Sequence, residues 1–233
     1  MKRLLALLSA SFFLFSCNFT NGSGKIVTEK RTVENFSAIS ACSAIEVEVN
    51  IGPVAAVTVE ADDNIIQHVL TSVSGGTLKI KTENLHNLNN AHIKVFVTTP
   101  VIEAITASAS ADVKVVAVIK GNNKLSFKAS SSAGIEAEVD APEVEAEANS
   151  SGTVTLKGCT KNYKAAVSSS GDIKTAALLS ENTEVDASSS GSAQVYASIT
   201  LNAKASSSGS IDYRGAATVQ QSVNSSGSVD KKD

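Results

Sequence analysis

From residue 105 onward the chain alternates apolar and polar positions with period two, broken at regular intervals by a tract of small residues. The tracts are Ala107-Ser108-Ala109-Ser110-Ala111, Ala129-Ser130-Ser131-Ser132-Ala133, Ala148-Asn149-Ser150-Ser151-Gly152, Val167-Ser168-Ser169-Ser170-Gly171, Ala187-Ser188-Ser189-Ser190-Gly191, Ala205-Ser206-Ser207-Ser208-Gly209 and Val223-Asn224-Ser225-Ser226-Gly227. Their starts advance by 22, 19, 19, 20, 18 and 18 residues. Counted from the first residue of each tract, offset six is Val113, Ile135, Val154, Ile173, Ala193, Ile211 or Val229, and offset zero is always Ala or Val. Odd offsets carry Ser, Asn, Asp, Thr or Gly. A flexible Gly/Ser linker has no such parity; a strand with one buried face does.

Parallel strands recurring every 18–22 residues, without helical segments between them, predict the stacked coils of a β-solenoid. The small residues at offsets zero, two and four predict a pinched coil. Glycine at offset four allows a corner or a close backbone approach, so Ala111 and Ala133 predict a looser bend in the first two tracts. Even parity also points Ser131, Ser150, Ser169, Ser189, Ser207 and Ser225 inward. A buried hydroxyl without a partner costs about 1–3 kcal/mol, so the parity predicts an internal hydroxyl ladder between coils. The competing reading is a corner that turns these side chains to solvent.

Residues 26–106 lack the serine tracts and read as a β-rich N-terminal cap lobe ahead of a 107–233 repeat, the two joining into one continuous domain. Ile45–Ile51, Val57–Glu60, Leu78–Lys81 and Ile93–Val97 alternate as strands, with turns at Gly52-Pro53 and Ser74-Gly75-Gly76. Asp62 to Leu70 breaks the alternation. It predicts one short helix capped by Asp62 or Asp63, with Ile65, Ile66, Val69 and Leu70 on one side.

The N-terminus adds an address. Lys2 and Arg3 precede an apolar run, Leu4–Phe15, that is too short for a spanning helix of about 20 residues. Residues 1–16 therefore read as a signal peptide. Leu14-Phe15-Ser16-Cys17 closes it and resembles a bacterial lipobox, which implies cleavage before Cys17 and acylation there. Two or more acyl chains anchor stably, whereas one does not. Residues 17–25 read as the lipidated Cys and a flexible polar tether. Asn18 is not an inner-membrane retention residue of the Asp type, which favours the outer membrane, on its periplasmic face or at the cell surface.

Composition narrows the function. The net charge of −3 becomes −5 without Lys2 and Arg3, 18 basic against 23 acidic residues, which excludes a nucleic-acid binder held by basic patches. With no Trp and 4% aromatic residues, the chain lacks stacking platforms for bases or sugars. Cys42 and Cys159 have no His or Cys at metal-ligand spacing and read as two small buried hydrophobes. No metal or cofactor follows from the sequence, although Glu136, Glu138 and Asp140 are candidate calcium ligands against a bland reading as a solvated face. An offset of 19 sets Lys157 over Glu138 and Lys164 over Glu145. A catalytic Ser needs an adjacent base, and the three histidines, His68, His86 and His92, all precede the serine repeat.

Arg31-Thr32-Val33-Glu34-Asn35-Phe36, Val57 through Asn64, Gly75-Gly76-Thr77-Leu78-Lys79-Ile80 and the Ser-Ser-Gly tracts, in that order, resemble the head GIN domain of putative auto-transporter adhesins. The resemblance implies a secreted or lipid-anchored protein of the Bacteroidetes type. It also implies an all-β, right-handed parallel β-helix, and it carries no catalytic residues. The expected function is a non-enzymatic, adhesin-like envelope module with a membrane anchor, binding a glycan, a surface polymer or a protein. The alternatives are a polysaccharide lyase or hydrolase on a β-helix, or a purely structural envelope protein.

Overall fold

The computed structural model describes residues 20–83, 88–121 and 123–233. The signal segment, Cys17 and His86 lie outside the described residues. The described chain is all-β. Its strands are β1 (Thr20–Asn21), β2 (Ile26–Arg31), β3 (Ala38–Cys42), β4 (Glu46–Ile51), β5 (Ala56–Asp62), β6 (Val69–Ser74), β7 (Thr77–Thr82), β8 (Leu88–Asn89), β9 (Ile93–Thr99), β10 (Ala104–Ser108), β11 (Asp112–Lys120), β12 (Lys124–Ala129), β13 (Gly134–Ala148), β14 (Thr153–Val167), β15 (Asp172–Ala187), β16 (Ser192–Tyr196), β17 (Thr200–Ala205), β18 (Ser210–Arg214), β19 (Thr218–Val223) and β20 (Ser228–Lys231).

The strands stack into two ladders. The first runs β2, β5, β9, β4, β11, β13, β14, β15, β16, β18, β20. The second runs β6, β7, β3, β10, β12, β13, β14, β15, β17, β19. The long strands β13, β14 and β15 bend and serve both ladders, so each coil contributes one segment to each. All pairings from β4 and β3 onward are parallel, as the repeat spacing predicts. Inward residues of both ladders form one aliphatic core that includes Ile39, Val47, Leu78, Val95, Ile105, Phe127, Val144, Leu156, Ile173 and Ile211.

The serine tracts are the corners that join one ladder to the other, and here the hydroxyl-ladder expectation is overturned. In each of the seven, offsets two and three have positive φ, as at Ser189 (49°) and Ser190 (61°). The residue at offset four donates its N–H back to offset one, as Gly191 does to Ser188 at 2.9 Å. Two left-handed residues inside such a bond make a type I′ turn, which rotates the offset-two side chain outward. Ser131, Ser150, Ser169, Ser189, Ser207 and Ser225 are all exposed.

The inter-coil bonds at these corners are made by backbone instead. The N–H of Ser170 donates to the Ser189 carbonyl at 3.2 Å, and that of Ser190 to the Ser207 carbonyl at 3.1 Å. Offset four is a site of close approach: a Cβ on Gly209 would lie 2.4 Å from the Ala187 carbonyl oxygen. The looser bend expected at the first two tracts is absent. Ala109 and Ser110 (51° and 63°), and Ser131 and Ser132 (53° and 63°), keep the dihedrals of the others.

The N-terminal region is built into the same stack. Its expected boundary at 106/107 falls inside β10, which pairs with β3 from Ala104↔Ala38 to Ser108↔Cys42. The chain lays down β3 and β4, moves outward through β5, β6, β7 and β9, then returns to place β10 and β11 on the inner side of β3 and β4. The antiparallel strands β2, β5 and β6 close the outer end.

The expected short helix is only a 3-10 turn, Ile66–His68, without a side-chain cap. Val69 and Leu70 belong to β6, where pairing with β7 satisfies their backbone better than a helix would. Ile65 and Val69 are buried, as expected, but from a turn and a strand. The helix-cap role of Asp62 is also overturned. Its buried carboxylate accepts the N–H of Gly24 at 2.7 Å and that of His92 at 2.8 Å.

Candidate ligand-binding surface

Because register is kept from coil to coil, outward side chains form rows. In the second ladder one row reads Lys124, Glu143, Asn162, Asn182, Thr200, Thr218. Thr200 Oγ1 donates to Asn182 Oδ1 at 2.8 Å, and Asn182 Nδ2 donates to Asn162 Oδ1 at 3.2 Å. The next row holds Lys164, Glu184 and Asn202. This second row and the stretch of the first from Glu143 to Thr200 line an open groove of about 410 Å³.

An amide offers two donors and an acceptor. The bonds in the row occupy one N–H of Asn182, while Asn162 Nδ2 and the Asn202 amide have no protein partner among the described residues. The surface can therefore both donate to and accept from a neutral polyhydroxyl ligand. Sequence spacing carried a trace of it, since Asn162 and Asn182 lie one coil apart. Without the register, two asparagines 20 residues apart read as isolated polar positions.

A second groove, about 480 Å³, crosses the first ladder where the N-terminal coils meet the repeat. Glu46, Glu48, Asp112 and Glu136 line it with Lys94 and Lys114. Both lysines are paired: Lys94 Nζ lies 3.0 Å from Glu48 and 5.0 Å from the centroid of the Phe96 ring, and Lys114 lies 3.5 Å from Glu136, while Glu46 and Asp112 have no salt bridge among the described residues.

The calcium candidates share β13, with Glu136 and Asp140 exposed and Glu138 half-buried. Glu136 pairs with Lys114 and Glu138 with Lys157 at 3.1 Å, while Asp140 stands in register with Cys159. Among the described residues no group of three His, Cys, Asp or Glu side chains converges as metal ligands would.

Charge stacking follows the predicted register, with Glu138 opposite Lys157 and Glu145 opposite Lys164. The close partner of Glu145, however, is Lys124 on the preceding coil, at 2.6 Å. The hydrogen bond from Lys124 holds the Glu145 carboxyl below its usual range, and the Glu145 bond raises Lys124. Lys164 turns instead to Glu184 at 3.8 Å.

Among the described histidines, His92 bonds Glu60 at 2.8 Å and lies in the cap, remote in the stack from the serine corners of the last coils. Both remaining cysteines are free, and the reading of two buried hydrophobes is overturned: Cys159 is exposed and Cys42 half-buried. Cys159 sits at an odd, outward parity position of β14. Ser180 and Thr183 form a polar cluster in the solenoid interior. Ser180 Oγ lies 2.6 Å from Thr183 Oγ1, and both hydroxyls donate to the Tyr196 carbonyl, that of Thr183 at 2.8 Å. Nearby, the buried Tyr163 hydroxyl makes no well-formed hydrogen bond among the described residues, and burial pushes its pKa far up against a smaller opposing contribution from the Thr175 side chain.

This architecture is shared. A putative adhesin from Bacteroides fragilis superposes with a TM-score of 0.80 at 20% identity, over 91% of this chain and 99% of that one. A putative lipid binding protein from Parabacteroides distasonis gives 0.72 at 21% identity, over 93% and 100%. A putative adhesin from Parabacteroides merdae gives 0.72 at 21%, over 92% and 99%. At such identities the likeness is one of fold. No curated protein matches the sequence. The family model described as putative auto-transporter adhesin, head GIN domain, matches residues 35–217, and with the stacked coils and serine corners it places the chain in that family.

Proposed function

We propose that this protein is a non-enzymatic binding module of the cell envelope, anchored by lipid at Cys17 to the outer membrane, which engages a glycan or other surface polymer. The observation that carries the reading is the amide and hydroxyl row Asn162, Asn182, Thr200, with Asn202 beside it, in the open groove of the second ladder. A shallow groove of amides and hydroxyls, edged by Glu143, Lys164 and Glu184 and with its one lining aromatic, Tyr163, buried, gives weak single contacts. Repeated coils and many copies on one membrane sum them. The adhesin names of the family and of two neighbours agree with binding at the cell envelope.

Two measurements test the reading. A glycan array probed with the chain from Asn18 onward, clustered on beads, is expected to show a restricted set of neutral glycans. Asn182→Ala is expected to lower that signal by about tenfold, near the 1.4 kcal/mol that one lost hydrogen bond with its unpaired partner represents. Binding unaffected by Asn182→Ala, or no binding at all, would remove the groove from the argument. Metabolic labelling with palmitate is expected to mark the full chain and not the Cys17→Ala variant. Equal labelling of both would refute the anchor.

A further inference from the structure

We infer that the cap end of the solenoid, around β1, β8 and the turn after β5, faces the lipid bilayer, and that the repeat coils project away from it. The inference rests on acylation of Cys17. The segment after Cys17, expected to be a flexible tether, is bound to the body from Thr20 on. Thr20 and Asn21 pair in parallel with Leu88 and Asn89, and the Gly22 N–H donates to the Asn89 carbonyl at 3.1 Å. The Gly24 N–H donates to the buried Asp62 carboxylate, and Ser23 Oγ donates to Asp63 at 2.7 Å. Asn64 bridges the segment, accepting from the Ser23 N–H at 3.1 Å and donating to the Asn21 carbonyl at 2.9 Å.

Gly22 is in contact with the same carboxylate, since a Cβ there would lie 2.5 Å from Asp62 Oδ2. Asp62 is 1% exposed, so its charge requires these backbone donors. They are the Gly24 N–H of the tether and the N–H of His92, just ahead of β9, which makes the carboxylate a latch between tether and body. Only three peptide steps separate Cys17 from Thr20. At 3.8 Å each they span at most about 11 Å, so an acylated Cys17 holds this end against the headgroups. From β5 to β20 the first ladder makes nine strand steps, about 43 Å at roughly 4.8 Å each. The groove, on β13, β14, β15 and β17 part-way along the stack, is thereby carried outward, away from the lipid.

The test uses the acylated protein purified from membranes, with Cys42 and Cys159 replaced by Ala and a fluorophore placed at Lys25→Cys or at Ser226→Cys in the last corner. In phosphatidylcholine vesicles bearing a headgroup nitroxide, the label at 25 is expected to be quenched about threefold or more over the label at 226. Inserting 20 Gly/Ser residues between Phe19 and Thr20 leaves the fold untouched and lends about 25 Å of flexible reach; it is expected to bring the ratio near one. Equal quenching at both positions in the parent protein, or a ratio that the insertion does not change, would overturn the orientation. If mass spectrometry of the purified protein shows no acyl group, the anchor proposal fails by itself. The orientation is then read on the chain from Cys17 onward coupled to a maleimide phospholipid, with the same two outcomes.

Discussion

Fourteen non-glycine residues at positive φ, two in each of seven corners, set a local conformational cost for this fold. A left-handed non-glycine residue costs about 1–2 kcal/mol. The corners hold because backbone bonds from the coils on either side fix them, as the Ser188 N–H bonds the Val167 carbonyl and the Ser190 N–H the Ser207 carbonyl. Serine is tolerated because its side chain is small and unbranched at Cβ. Ser189→Gly is therefore expected to stabilise by about 1 kcal/mol, the relieved strain exceeding the added chain entropy. Ser189→Val is expected to destabilise by about 1–2 kcal/mol. Urea midpoints of the two variants against the parent check both signs. Tyr163 gives the converse case in the core. Its hydroxyl is buried without a well-formed hydrogen bond among the described residues, Thr175 being the side chain beside it, so Tyr163→Phe is expected to gain up to about 1 kcal/mol, whereas Tyr163→Ala leaves a cavity and costs about 3–5 kcal/mol. A Tyr163→Phe loss would show that the hydroxyl is bonded in solution.

At the scale of the strand, the long elements β13 to β15 must bend between ladders, β13 and β14 in unbroken register and β14 and β15 with a one-residue shift between Thr155 and Lys157. Gly158 makes that bend in β14: its φ is +114°, and a Cβ would lie 2.0 Å from the Val139 carbonyl oxygen of the coil below. Gly158→Ala is expected to cost about 3 kcal/mol or more by thermal or urea unfolding. Gly121→Ala, whose Cβ would meet Leu125 at an ordinary 3.5 Å, is the control with little change. Between strands, the Lys124–Glu145 bond supplies an acid dependence. Glu145 is depressed in the folded state, so its contribution is present above the unfolded carboxyl value near 4.5 and is lost as pH falls through the lower folded value. Lys124→Met is expected to be less stable than the parent at pH 7, with the gap closing as pH falls below about 4.5. A gap that does not narrow on acidification would assign the effect to packing of the lysine stem. Lys124 itself is raised, so at the alkaline end its part is lost only as pH rises through a value above 10.5.

At the scale of the molecule, the parity of Val113, Ile135, Val154 and Ile173 was sufficient to place coil upon coil. Parity fails where the backbone leaves the extended region. At Ser189 and Ser190 two left-handed residues reverse which side a side chain faces, and the pattern of small residues is the same for either outcome. The Asp62 latch and the Asn162–Asn182 row were illegible for a different reason, since each depends on contacts between residues distant in sequence. At the last described coil charge, rather than parity, is the distinguishing feature. The ladders end on β19, which pairs with β17, and β20, which pairs with β18, and neither has a strand partner on its outer edge among the described residues. Val223 there is 44% exposed. An unpaired parallel edge invites a second copy to add on. The charges Asp230, Lys231, Lys232 and Asp233 occupy this end, with Lys232 held 3.3 Å from Asp212. A second stack approaching β20 must desolvate them. Replacing Lys231 and Lys232 by Thr is expected to leave the unfolding midpoint nearly unchanged and to produce concentration-dependent association in sedimentation velocity, abolished when Thr218 at the edge of β19 is changed to Pro. A variant that sediments as the parent does at every concentration would show that the twist of the last coil alone protects the edge.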